Sequence, residues 1–156
     1  MRTVTTVVPG RFASLEELCD LVTQAALDAG LEAAAVHAVQ VAVDEACTNI
    51  IEHAYGGEDG GEIECTCRIA DGELTVILRD RGCPFDPAAV PEPNVTAGLE
   101  DRQGGGLGVY LMRRLMDEVR FESTPEAGNV LTMVKRRREC GEQPGAADEP
   151  GLACAP

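Results

Sequence analysis

Val43-Asp44-Glu45-Ala46-Cys47-Thr48-Asn49-Ile50-Ile51-Glu52-His53-Ala54-Tyr55 is the stretch on which the fold turns. With Val36 and Val39 upstream, Val43, Ala46 and Ile50 recur at three- and four-residue spacing. That is the buried stripe of an amphipathic helix, predicted from Glu32 to Ala54 and ended by Gly56-Gly57. Glu45 and Asn49 lie one turn apart on a face away from the stripe. A carboxylate and a neutral amide are poor core material. So placed, they suit a proton acceptor beside an oxygen ligand for a hard cation such as Mg²⁺. A plain solvated face is the competing reading, because Asp44, Glu52 and His53 are polar as well.

Two later segments carry related chemistry. Asp80-Arg81-Gly82-Cys83-Pro84-Phe85-Asp86 closes a predicted strand. A carboxylate there can accept a hydrogen bond from a base amino group, and Gly82 lets a ring approach the backbone. A simple turn aspartate is the alternative. Gly104-Gly105-Gly106-Leu107-Gly108 opens a helix reaching Met116, with Leu111, Met112 and Leu115 expected inward. Glycines free the backbone to close on a ligand, and the helix start offers unpaired N–H groups to phosphate. The cluster is not a P-loop, since no Gly-Lys-Ser/Thr follows. Nor is it the dinucleotide fingerprint, because the spacing fails and a long loop precedes it.

The remaining chain fills in around these segments. Thr3 to Val8 is a β-branched strand stopped by Pro9-Gly10, and Ser14 with Glu17 forms a capping-box pattern before a helix ending at Ala29-Gly30. Ile63 to Ile69 and Leu74 to Leu78 make a hairpin about Ala70-Asp71-Gly72-Glu73. Glu118 to Ser123 and Val130 to Lys135 make another. Between Gly82 and Gly105 four prolines and no sustained period indicate a long loop, a functional lid or a disordered segment. The order β-α-α-β-β-loop-α-β-β predicts one α+β domain over residues 1–137, with helices on one face of a mixed, mostly antiparallel sheet. Residues 138–156 are acidic and rich in Gly, Pro and Ala, and are expected to be a disordered tail.

Bulk properties narrow the function. The formal net charge of −14 over 156 residues argues against a sequence-blind nucleic-acid binder. It favours solubility or a basic protein partner. No apolar run reaches the length of a membrane span, and the N-terminus has no signal-peptide core, so a cytoplasmic location without membrane or direct nucleic-acid partners is expected. Seven cysteines show no framework spacing. Cys65 and Cys67 share one face of a strand and are read as reduced, buried thiols.

In order and spacing, Glu45-x-x-x-Asn49-x-x-x-His53-Ala54-Tyr55, then Asp80-x-Gly82-x-Pro84-Phe85-Asp86, then the glycine cluster resemble the N, G1 and G2 boxes of the GHKL ATPase superfamily. The His53-Ala54-Tyr55 ending, the Pro84-Phe85-Asp86 variant and the short length look most like its anti-sigma factor serine/threonine kinases. The resemblance spans about Thr3 to Arg137 and implies a Bergerat fold, a two-layer α/β sandwich that binds ATP with Mg²⁺ beneath a lid. It implies Glu45 as catalytic base, Asn49 as Mg²⁺ ligand, and Asp80 with Gly82 at the adenine. Gly104, Gly105, Gly106, Leu107 and Gly108 would border the phosphates, and Thr132 would place a hydroxyl near the base. Some relatives carry an arginine just before the last glycine box. Here Gly104-Gly105 hold those positions, and Arg102 is the nearest candidate for the γ-phosphate. The implied partners are a STAS-type anti-sigma factor antagonist as phosphorylated substrate, a sequestered sigma factor, and a second copy of the chain in a homodimer. The alternative is a non-catalytic, ATP/ADP-dependent protein-binding switch of the same fold.

Overall fold

The computed structural model describes residues 1–84 and 107–138, with only the backbone of Leu107. Alternation builds the sheet. In β2 (Glu62–Ala70) Ile63, Cys65, Cys67 and Ile69 are buried, and in β3 (Glu73–Asp80) Leu74, Val76, Leu78 and Asp80 are. Successive side chains point to opposite faces, so each strand presents one apolar row. Asp80 continues that row with a polar group. With β1 (Arg2–Pro9), β4 (Glu118–Thr124) and β5 (Gly128–Arg136), the five-stranded sheet runs β1-β2-β3-β5-β4. Every ladder is antiparallel, the limiting form of the mostly antiparallel sheet expected.

The apolar face is covered by α1 (Leu15–Asp28), α2 (Ala33–Asn49) and α3 (Leu107–Leu115). Leu18, Val22, Ala25 and Ala26 anchor α1. The stripe Val36, Val39, Val43 and Ala46 anchors α2, which also buries Ala35, Ala38, Ala42 and Cys47 because α1 and α3 flank it. The thiols of Cys47, Cys65 and Cys67 are free and buried in this core.

Two local expectations give way. Ser14 forms no side-chain cap on α1. It ends a 3₁₀ turn, Phe12–Ser14, with helical φ −75° and ψ −16°, whereas a capping residue needs an extended backbone. The inward stripe is Val109 and Met112 of α3 and Met116 just past its end, with Leu111 and Leu115 only half-buried. Gly108 faces α2 at close range and sets that phase.

Candidate functional site

After Asn49 the ladder of α2 widens into a π turn, Ile50–Ala54, in which the Tyr55 N–H bonds to the Ile50 carbonyl at 2.9 Å. Such widened turns occur frequently at functional sites. Tyr55 fastens the far end. Its phenol donates to the Glu62 carbonyl and accepts the Arg81 N–H at 3.0 Å. The Ala54 carbonyl accepts the Cys83 N–H at 2.8 Å. Between them Gly82 passes so close that a Cβ would stand 2.4 Å from the Ala54 oxygen and 2.5 Å from its carbonyl carbon. Glycine is required there by contact with backbone, which cannot swing aside.

Asp80 enters from the neighbouring strand and is 5% exposed. Its Oδ1 accepts the Gly82 N–H at 2.9 Å and Asn129 Nδ2 at 2.8 Å. Asn129 Nδ2 also reaches the carbonyls of Cys83 at 3.0 Å and Gly82 at 3.2 Å. Among the described residues both bonds to Asp80 end on one oxygen, which leaves the lone pairs of Oδ2 for another donor.

A cavity of about 140 Å³ opens beside this carboxylate. Asn49, Ile50 and His53 from α2 and its π turn, Met112 from α3, and Asp80, Phe121, Asn129 and Leu131 from the sheet line it. An apolar slot with a few converging polar groups is the usual form of a small-molecule site. An engineered cavity of roughly 150 Å³ admits benzene, so this one suits a ring system.

Glu45 is not a lining residue. It stands one turn back along α2, where the first turn of α3 meets it. A Cβ on Gly108 would lie 3.0 Å from Asn49 Nδ2 and 3.1 Å from Glu45 Oε2. First-turn N–H groups have no partner within their helix. An anion-favouring helix end, an amide and a carboxylate therefore share one spot beside the cavity. Partial burial is the main reason the Glu45 carboxyl titrates above its ordinary value, with Asp44 and Glu52 adding to it. That shift moves it toward the range where a proton acceptor works best. Among the described residues, no group of three or more His, Cys, Asp or Glu is placed to hold a metal ion.

The other sequence-derived candidates divide. Leu107 opens α3 through its backbone. Arg102, Gly104, Gly105 and Gly106 lie outside the described residues. Thr132 requires a correction. Leu131 and Met133 point into the core, so the two-residue period turns Thr132 to the opposite face. There it borders a hollow with Glu118, Arg120 and Val134, away from Asp80. Asn129, which falls just before the last strand expected from the sequence, is a polar β5 residue that reaches the site. Its only sequence signal is a place near the hairpin tip, and the register that sets it opposite Asp80 is a tertiary fact.

The chain matches the family described as histidine kinase-like ATPase domain over residues 8–135. It is similar to the serine-protein kinase RsbW of Bacillus pumilus, 40% identical over 103 residues that cover 62% of this chain and 62% of that one. The match thus spans less than two thirds of that relative. The anti-sigma F factor of Clostridium novyi is 33% identical over 98 residues, covering 63% of this chain and 68% of that one. The solved RsbU and RsbW domains of a Mycobacterium tuberculosis protein share the fold, with a TM-score of 0.60 at 16% identity, covering 87% of this chain and 32% of that one.

Proposed function

This chain belongs to the histidine kinase-like ATPase family, and on that premise we propose that it is a serine/threonine protein kinase of the anti-sigma factor type. The observation that carries the reading is the meeting of three distant segments. Asn49 and Asp80 line one cavity, and Gly108 brings the start of α3 against both Asn49 and Glu45. Asp80 would take the adenine amino group, with Gly82 beside it. Gly104, Gly105, Gly106 and Gly108 would border the phosphates, with Arg102 the nearest cation for the γ-phosphate.

The donor set fits Mg²⁺, which is commonly held by one or two protein oxygens together with substrate phosphates. Asn49 would supply its amide oxygen, and no larger ligand cluster is needed. When bound, the ion neutralises charge on the phosphates. Glu45 would orient the acceptor hydroxyl and take its proton, its raised affinity for protons suiting that work. Positioning and charge complementarity supply most of the catalysis in phosphoryl transfer.

The relatives' names, serine-protein kinase and anti-sigma factor, support a protein substrate and a sigma factor as partners. We take the substrate to be a STAS-type antagonist, the active species to be a homodimer, and the location to be cytoplasmic. No described helix is long and apolar enough to cross a membrane. Residues 1–137 would form the kinase domain, with 138–156 as an acidic tail. Incubation with γ-labelled ATP and a candidate antagonist tests the proposal. Label must reach a serine or threonine of the antagonist and vanish in Glu45→Ala, while Asn49→Ala must lose Mg·ATP binding. Nucleotide binding without transfer would leave a non-catalytic switch.

A further inference from the structure

We infer that Cys83 is a site of thiol–disulfide exchange, and that a mixed disulfide formed there with a low-molecular-weight thiol shuts the cavity to nucleotide. The inference rests on the reading that the cavity takes the base. Cys83 is solvent-exposed and is also one of the residues lining the cavity. Its main chain is held from two sides. The N–H donates to the Ala54 carbonyl at 2.8 Å, and the carbonyl accepts Asn129 Nδ2 at 3.0 Å. That same nitrogen donates to Asp80 Oδ1 at 2.8 Å, so a single amide group links Cys83 to the carboxylate. Asp80 is 5% exposed, and among the described residues its Oδ2 has no partner, which marks the cavity as built to receive a donor. A group added to the thiol therefore begins at the cavity. It cannot be carried away without breaking bonds that also hold Asn129 and the π turn.

The other described thiols are shielded. Cys47, Cys65 and Cys67 are buried, burial pushes the Cys47 thiol up to about 12, and Cys19 is half-buried on α1. The thiolate is the attacking species, and access helps decide which one reacts. Cys83 gives up its proton, and its thiolate attacks one sulfur of a small disulfide. A new S–S bond forms, the old one breaks, and the second thiol leaves as a thiolate that takes up the proton. The Cys83 sulfur is oxidised and the departing sulfur is reduced. The cavity, at about 140 Å³, has the scale of one ring system. An adduct the size of a tripeptide competes with a base for it.

The test treats the whole chain with glutathione disulfide, maps the adduct by peptide mass spectrometry and measures Mg·ATP binding by calorimetry. Cys140→Ser and Cys154→Ser are combined as the background, because both thiols lie outside the described residues. The adduct is expected on Cys83. Affinity for Mg·ATP should fall about ten- to hundredfold, the scale of losing a hydrogen bond to a charged group, and return with dithiothreitol. Mg·ATP at about ten times its Kd leaves about a tenth of the sites open and should slow the labelling about tenfold. Cys83 is exposed and its bonds are made by the main chain, so Cys83→Ser folds and should bind Mg·ATP equally with and without the disulfide. Modified protein that binds as the reduced protein does overturns the inference. So does labelling that Mg·ATP does not slow, inhibition that persists in Cys83→Ser, or an adduct found only on other thiols. Those results leave the nucleotide reading standing. Reduced protein that binds no nucleotide removes that reading, and the inference with it.

Discussion

Gly108→Ala separates stability from function at the junction of α2 and α3. The added methyl would sit 3.0 Å from Asn49 Nδ2, 3.1 Å from Glu45 Oε2 and 3.4 Å from Asn49 Oδ1. Ordinary contact begins near the last of these, so both side chains must retreat by a few tenths of an ångström. Both are ends of flexible side chains, and the retreat costs little folding energy. Alanine in a helix gains about 0.5–1 kcal/mol over glycine. Thermal unfolding is therefore expected to stay level or rise by about 1–4 °C. Function moves the other way. A catalytic group misplaced by an ångström costs up to about a hundredfold, and this smaller shift is expected to cost roughly tenfold in phosphoryl transfer. The assay pairs a melting curve with single-turnover transfer from labelled ATP. A folded variant with wild-type transfer would show that contact at Gly108 has no bearing on the chemistry. Loss of several degrees would show that Gly108 is a packing residue instead.

Three further outcomes are expected. Glu45→Gln tests the raised carboxyl, whose stabilising contribution is complete below the ordinary glutamate value and lost as pH rises through the raised folded value. Urea unfolding should find the variant no more stable than wild type below about pH 4 but more stable at about pH 7, and parallel pH profiles would refute this. Gly82→Ala forces a methyl against the Ala54 carbonyl and is expected to lose about 3 kcal/mol by denaturant melts; a loss under about 1 kcal/mol would mean the π turn yields easily. Tyr55→Phe removes one donor and one acceptor at the end of that turn and should cost about 1–2 kcal/mol, measured the same way, while a neutral result would show that water replaces both bonds.

The sequence made the elements legible because burial alternates strictly in β2 and β3 and recurs every three or four residues in α2. It also brought forward Glu45, Asn49, Asp80, Gly82 and Gly108, whose side chains or backbone meet around the cavity and the start of α3. Two points stayed out of reach for physical reasons. The π turn depends on where Ala54 must stand to receive Gly82 and Cys83, a contact between distant segments. The role of Asn129 depends on strand register, which the period of one strand does not contain. Thr132 shows the opposite error. Matching by motif ignored which side of the sheet its neighbours Leu131 and Met133 had already claimed.

The order of the strands sets how firmly the two sides of the site are held. Asp80 closes β3, which is hydrogen-bonded on both edges by β2 and β5. Gly108 belongs to the first turn of α3, a helix of only nine residues. Local opening draws on the least-bonded elements first, so amide protons of β3 should exchange with solvent last and those at the start of α3 early. A bound molecule would then rest one end on a bedrock strand and the other on a hinge of modest strength, and loosening would begin at the hinge.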